Sequence, residues 1–142
     1  MQVKDLMTRK VITVSQDETV SAAARLLARY NLGALPVVNK DGRLRGMVTD
    51  RDVVLRCVAH DENPHEVKIS EIMSRRIISV SPEDPADLCA EKMAEAQIRR
   101  LPVEQNGKLV GMVCLADMAT APSFSMEAAK ALTEISVNVR RK

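Results

Sequence analysis

The chain has 142 residues, 46% apolar and 28% charged, with 21 Lys and Arg against 19 Asp and Glu for a net charge of +2. That suits one globular domain, or two small units sharing a core, and one Tyr, one Phe and no Trp leave neither the basic face nor the stacking rings that nucleic acid needs. No apolar run approaches the ~20 residues that span a bilayer, and MQVKDLMTRK lacks the apolar centre of a secretion signal; a cytoplasmic protein with no membrane attachment is expected.

In chain order, residues 4–7 read as a short helical turn and VITV, residues 11–14, as a brief strand. Asp17 and Glu18 place acids where a helix dipole favours them. The helix TVSAAARLLARYN follows, with Val20, Ala23, Ala24, Leu27 and Ala28 on one stripe. Two strands, LPVVN and RLRGMVT, flank a KDG turn, and a helix begins near Asp50. AHDENPHEV, residues 59–67, is a polar connection.

The same order then returns. VKDLMTRKVITVS matches ISEIMSRRIISVS, NLGALPVV matches QIRRLPVE, and DGRLRGMVTDRD matches NGKLVGMVCLAD. Such a repeat is the first thing to look for in a chain. Copy two carries Pro85 near its helix start, an Asn106-Gly107 hairpin signal and a last helix near Leu115. The expected architecture is α/β (α+β). Two pseudo-twofold-related units, each β-α-β-β-α, pack through their sheets, and a C-terminal helix follows. The boundaries are 1–61 for the first unit, 62–68 for a linker, 69–120 for the second unit and 121–142 for the tail. The tail predicts an amphipathic helix from about Ser125, with Met126, Ala129, Leu132 and Ile135 on one face.

A tandem of NLGALPVV…GRLRGMVTDRDVV and QIRRLPV…GKLVGMVCLADMA resembles a pair of cystathionine-beta-synthase (CBS) domains, the Bateman module. The likeness covers nearly the whole chain and is strongest to small stand-alone bacterial CBS-pair proteins. The resemblance implies a disc-like homodimer. It further implies a regulatory role, in which the cleft between the two units binds an adenine nucleotide (AMP, ADP or ATP) or NAD or S-adenosylmethionine and an unidentified effector protein reads the result. No cofactor is required.

By the same resemblance, Thr49 faces phosphate and Asp52 the ribose hydroxyls, joined by Ile78, Ser79, Arg99 and Arg100 from copy two. A weaker second site pairs Asp117 with Thr13, Gly33 and Ala34, and there Cys114 stands where the pattern has a hydroxyl. The chemistry suits these roles, since a carboxylate accepts from both hydroxyls of a ribose and guanidiniums hold phosphate. A plainer reading stands beside it. Thr49 and Asp52 are good helix caps, and Arg99 and Arg100 read equally as a solvated pair.

Two alternatives belong to other classes. A ligand-free dimeric adaptor keeps the fold and acts through its tail helix. A metal or redox stress sensor uses His60 and His65, with Asp61, Glu62 and Glu66 nearby, or the cysteines. The histidine spacing fits no zinc signature, and Cys57, Cys89 and Cys114 sit in apolar contexts that suit reduced, buried thiols. No metal site is therefore assigned. An enzyme is not expected, because no nucleophile has a matched base and no glycine loop cradles a phosphate.

Overall fold

The computed structural model describes residues 1–120 and 125–141, and the side chains of Ser125, Met126 and residues 138–141 lie outside that description. Two compact units are present. One is Ile12–Ile77; the other joins Met1–Val11 to Ile78–Lys142. We call them the first-copy and second-copy units.

In the first-copy unit, α2 (Val20–Tyr30) opens on Thr19, whose hydroxyl accepts from the Ala22 N–H at 3.2 Å, and it ends where Asn31 turns left-handed at φ 54°. Its buried face is Val20, Ala23 and Leu27. Ala24 is half-buried and Ala28 exposed, so the stripe is narrower than the sequence suggests. The strands β1 (Ala34–Val38) and β2 (Leu44–Thr49) pair antiparallel, with Ala34 opposite Thr49. Directly after β2 comes α3 (Asp50–Arg56). Leu35, Val37, Val48, Ile69 and Ile72 fill the core between helices and sheet.

The second-copy unit repeats this plan with α4 (Asp87–Ala96), β3 (Arg100–Gln105), β4 (Lys108–Cys114) and α5 (Leu115–Ala119). Asn106 at φ 55° and Gly107 at φ 80° make the two-residue turn that fits the twist of a hairpin. Pro85 lies before α4 instead of in its first turn, and its neighbourhood bridges to Gln2.

The compact units do not follow the sequence boundaries. The helical turn α1 (Val3–Leu6) belongs with copy two, where Val3 is buried and Thr8 exchanges two backbone hydrogen bonds with Met112 of β4, at 2.8 and 2.9 Å. The matching segment after the linker belongs with copy one. Ile69, Ile72 and Met73 are buried there, and Ser74 exchanges bonds of 3.0 and 2.9 Å with Met47 of β2. Each hairpin thus has an edge that its own copy does not cover, and the segment ahead of the other copy satisfies it. The expected strands VITV and IISV shrink to single parallel bridges, Val14 to Val37 and Val80 to Val103. The chain passes from one unit to the other within these segments, so only their ends join a ladder.

The tail forms α6 (Ser125–Arg141) and packs on α4 and α5 of the second-copy unit. Its buried face is Ala128, Ala131 and Ile135. Of the face read from sequence, only Ile135 is buried; Ala129 and Leu132 are exposed and Met126 is undescribed. Two small alanines let the helix sit close on its neighbours, which turns Leu132 outward.

Candidate functional site

The two strand-to-helix turns carry the residues singled out by sequence. At the first, Thr49 is the N-cap of α3. Its Oγ1 accepts from the Asp52 N–H at 3.0 Å, and Asp52 Oδ2 accepts from the Thr49 N–H at 2.9 Å. This reciprocal cap satisfies two backbone donors at the helix start. The second Asp52 oxygen, Oδ1, stands 3.7 Å from Arg56 Nε. The Asp50 N–H donates to the Gly33 carbonyl at 3.1 Å, closing the turn against the start of β1.

The second turn has the same closure, the Leu115 N–H donating to the Arg99 carbonyl at 2.8 Å. Its side chains differ. Asp117 Oδ2 accepts from the Cys114 N–H at 3.1 Å and from the Cys114 thiol at 3.0 Å. The sulfur is a donor here, so the carboxylate oxygen that bonds backbone also carries the thiol. Burial raises the Cys114 pKa, and the hydrogen bond to Asp117 adds to it; the Arg100 guanidinium acts the other way. The thiol therefore stays protonated near neutrality. Cys57 and Cys89 are buried and their pKa values are raised as well, chiefly by burial, that of Cys89 to about 11.

Within each unit, register decides which candidates meet. Ala34 lies opposite Thr49, and Arg100 lies opposite Cys114. Gly33, Ala34, Thr49 and Asp52 thus share one end of the first-copy hairpin, and Arg99, Arg100, Cys114 and Asp117 share the matching end of the second. Thr13 is half-buried, one residue before the Val14 bridge. Ile78 packs against the second core. The Ser79 hydroxyl donates to Glu104 Oε2 at 2.7 Å, and its carbonyl accepts from Lys92 Nζ at 2.6 Å.

A cavity of about 500 Å³ opens beside the second turn, lined by Arg99, Arg100, Cys114, Leu115 and, from the tail helix, Ala129 and Leu132. Its size falls in the range of small-molecule sites. Among the described residues the one ion pair is Arg56 with Asp52, so both arginines of this cavity lack a carboxylate partner. The contribution of α6 was not legible in sequence, because a helix face says nothing of which surface it covers. His60 and His65 are exposed. Among the described residues no three His, Cys, Asp or Glu side chains group as a metal site, and no helix is long and apolar enough to cross a membrane.

These units, each a helix and a two-stranded hairpin followed by a short capped helix, define a duplicated α/β module. The CBS domain family matches residues 3–58 and 69–123, and the chain belongs to that family. It is 42% identical over 134 residues to the CBS domain-containing protein YhcV of Bacillus subtilis, covering 94% of each chain. Among solved structures it is similar to Hypoxic Response Protein I with two coordinated zinc ions, at TM-score 0.79 and 35% identity, over 85% of this chain and 98% of that one. It is also similar to the CBS domain pair of protein MJ0100 in complex with 5′-methylthioadenosine and S-adenosyl-L-methionine, at TM-score 0.74 and 30% identity, over 84% of this chain and 93% of that one. The chain is thus a small CBS pair, a type of module that is generally regulatory, and adenosine-containing ligands bind a related pair.

Proposed function

We propose that this CBS pair senses an adenine nucleotide or another adenosine-containing ligand. Asp52 and Thr49 would contact ribose and phosphate, with Ile78, Ser79, Arg99 and Arg100 contributed by copy two. Thr13, Gly33, Ala34, Cys114 and Asp117 form the weaker set. The observation that supports the reading best is the Asp52 carboxylate. One oxygen is committed to the Thr49 backbone, and the other has only a loose Arg56 neighbour at 3.7 Å. Such an oxygen is rigidly aimed and available to a hydroxyl donor. Arg99 and Arg100, which have no ion-pair partner among the described residues, would supply countercharge for phosphate. At the second turn Asp117 Oδ2 already holds a thiol, which suits a ligand with less phosphate or none. The protein would act in the cytoplasm as a homodimer, and an effector protein would read the ligand-induced change.

Thermal unfolding with millimolar AMP, ADP, ATP, NAD or S-adenosylmethionine tests this. A ligand that binds only the folded state at about 100 times its Kd adds about 2.7 kcal/mol, on the order of 10 °C in Tm. The expected result is such a shift with at least one ligand and its loss in Asp52→Ala, each protein compared with its own ligand-free baseline because the substitution also removes a cap. Equal, negligible shifts in both would overturn the reading and favour the ligand-free adaptor.

A further inference from the structure

The cavity beside the second turn is formed in part by the tail. To its lining α6 supplies Ala128, Ala129 and Leu132, and α5 supplies Ala116 and Ala119. The match to the CBS domain family stops at residue 123, so α6 lies beyond the family's shared pattern. Every described lining residue belongs to the second-copy unit.

Charge and polarity identify what fits this space. Among the described residues three polar side chains line it, Arg99, Arg100 and Cys114. The Cys114 thiol already donates to Asp117. The two guanidiniums have no ion-pair partner among the described residues. Adjacent in sequence at the start of β3, they gather positive charge on one side, whereas the α5 and α6 sides are alanine and leucine. Leu132 is 41% exposed, a large apolar group left in water beside an open space. Such a lining suits a ligand of two parts. An anionic head meets the arginine forks, and an apolar body takes Leu132 and the alanines out of water. A nucleoside suits it poorly, because ribose hydroxyls need acceptors. Arginine offers none and sulfur only a weak one, and no described lining side chain is a carboxylate or an amide.

We infer that this cavity binds an amphiphilic anion, an alkyl chain that ends in a carboxylate or a phosphate. Its volume of about 500 Å³ admits such a molecule, and the small alanines keep the space open. Bound there, the ligand would hold α6 against α5. The inference does not rest on the Asp52 reading, although both give Arg99 and Arg100 an anion to bind.

Isothermal titration calorimetry of the full chain tests it, with hexanoate, octanoate, octyl phosphate and octanol as probes, all below micelle-forming concentrations. Saturable binding of octanoate or octyl phosphate is expected, and the tighter of the two names the head group. Octanoate, two methylenes longer, should bind about tenfold more tightly than hexanoate. Octanol has the chain without the charge and should bind at least about tenfold more weakly than the better anion. Arg99→Gln/Arg100→Gln should weaken anion binding about 10- to 100-fold and leave octanol unchanged. Ala129→Phe, at an exposed position, puts a ring into the space and should abolish binding of every alkyl probe. Its response to adenine nucleotides should match that of wild type, so the two ligand readings stand or fall separately. Circular dichroism checks that each variant stays folded. The inference is overturned if no alkyl anion binds saturably, or if octanol binds as well as the anions. It is equally overturned if the arginine substitutions leave anion binding unchanged, or if Ala129→Phe binds the probes as wild type does.

Discussion

The two copies share a backbone plan and differ in what their side chains do with it. Both turns close by a helix-start N–H reaching the carbonyl just ahead of the hairpin, Asp50 to Gly33 and Leu115 to Arg99. Both turns carry an aspartate three residues after the cap. In copy one a hydroxyl completes the cap reciprocally; in copy two a thiol donates to the carboxylate instead. Copy one leaves its helical face bare and basic, and copy two covers its own with α6 and lines a groove between α4 and α6 with acids. Duplication here preserved the hydrogen-bonded frame, which tolerates little change, and let the capping, covering and charged groups diverge.

The largest expected effect separates the two hairpin edges. A methyl added at Gly46 would overlap the Ser74 carbonyl oxygen, a backbone atom that cannot swing aside. At Gly111 the nearest atom is the Met7 sulfur at 2.7 Å, the mobile end of a side chain, with the Thr8 carbonyl oxygen at 3.0 Å. Gly46→Ala should therefore cost about 3 kcal/mol and Gly111→Ala about 1 kcal/mol, read by urea unfolding. Equal losses would mean that both arms yield alike.

The buried thiol of Cys89 gives the next effect, on the copy-two side. Its pKa rises from 9.0 to about 11, mainly through burial, with Asp84 and Asp87 adding and Lys92 opposing. The folded chain keeps this proton to higher pH than the unfolded one does. The contribution is therefore whole below pH 9 and is lost as pH climbs toward 11, by up to about 2–3 kcal/mol. Stability measured by unfolding from pH 9 to 11 should fall more steeply with pH in wild type than in Cys89→Ala. A pH dependence unchanged by the substitution would show that other groups cause it.

The smallest effects sharpen the contrast between the caps. Thr49→Ala should cost about 1 kcal/mol, and Cys114→Thr should gain about 0.5 kcal/mol by restoring the missing acceptor. Thermal unfolding of the two variants measures both, and a Cys114→Thr protein that is less stable would show that the thiol contact outweighs a hydroxyl cap.

Much of the fold was readable because its signals are local. The 3.6-residue stripe of α2, the Asn106-Gly107 turn and the repeat itself depend on neighbours in sequence. The equivalence of the two capped turns was readable too, since Thr49 and Asp52 recur in register as Cys114 and Asp117. The hidden part was long-range. Val3 and Ile69 look alike in sequence as the openings of their copies, yet each is buried in the core of the other copy's unit.

By itself, then, the sequence determined the duplication, the main helices and hairpins, and the capped turns that follow them, because periodicity, caps and turn residues act over a few positions. Only the tertiary structure decided which arm closes which hairpin edge, which face of α6 is buried, and that Arg99 and Arg100 open beside Cys114. Those outcomes rest on satisfying backbone edges and packing small side chains between segments far apart in the chain, and no local pattern encodes which distant surface will be there to meet them.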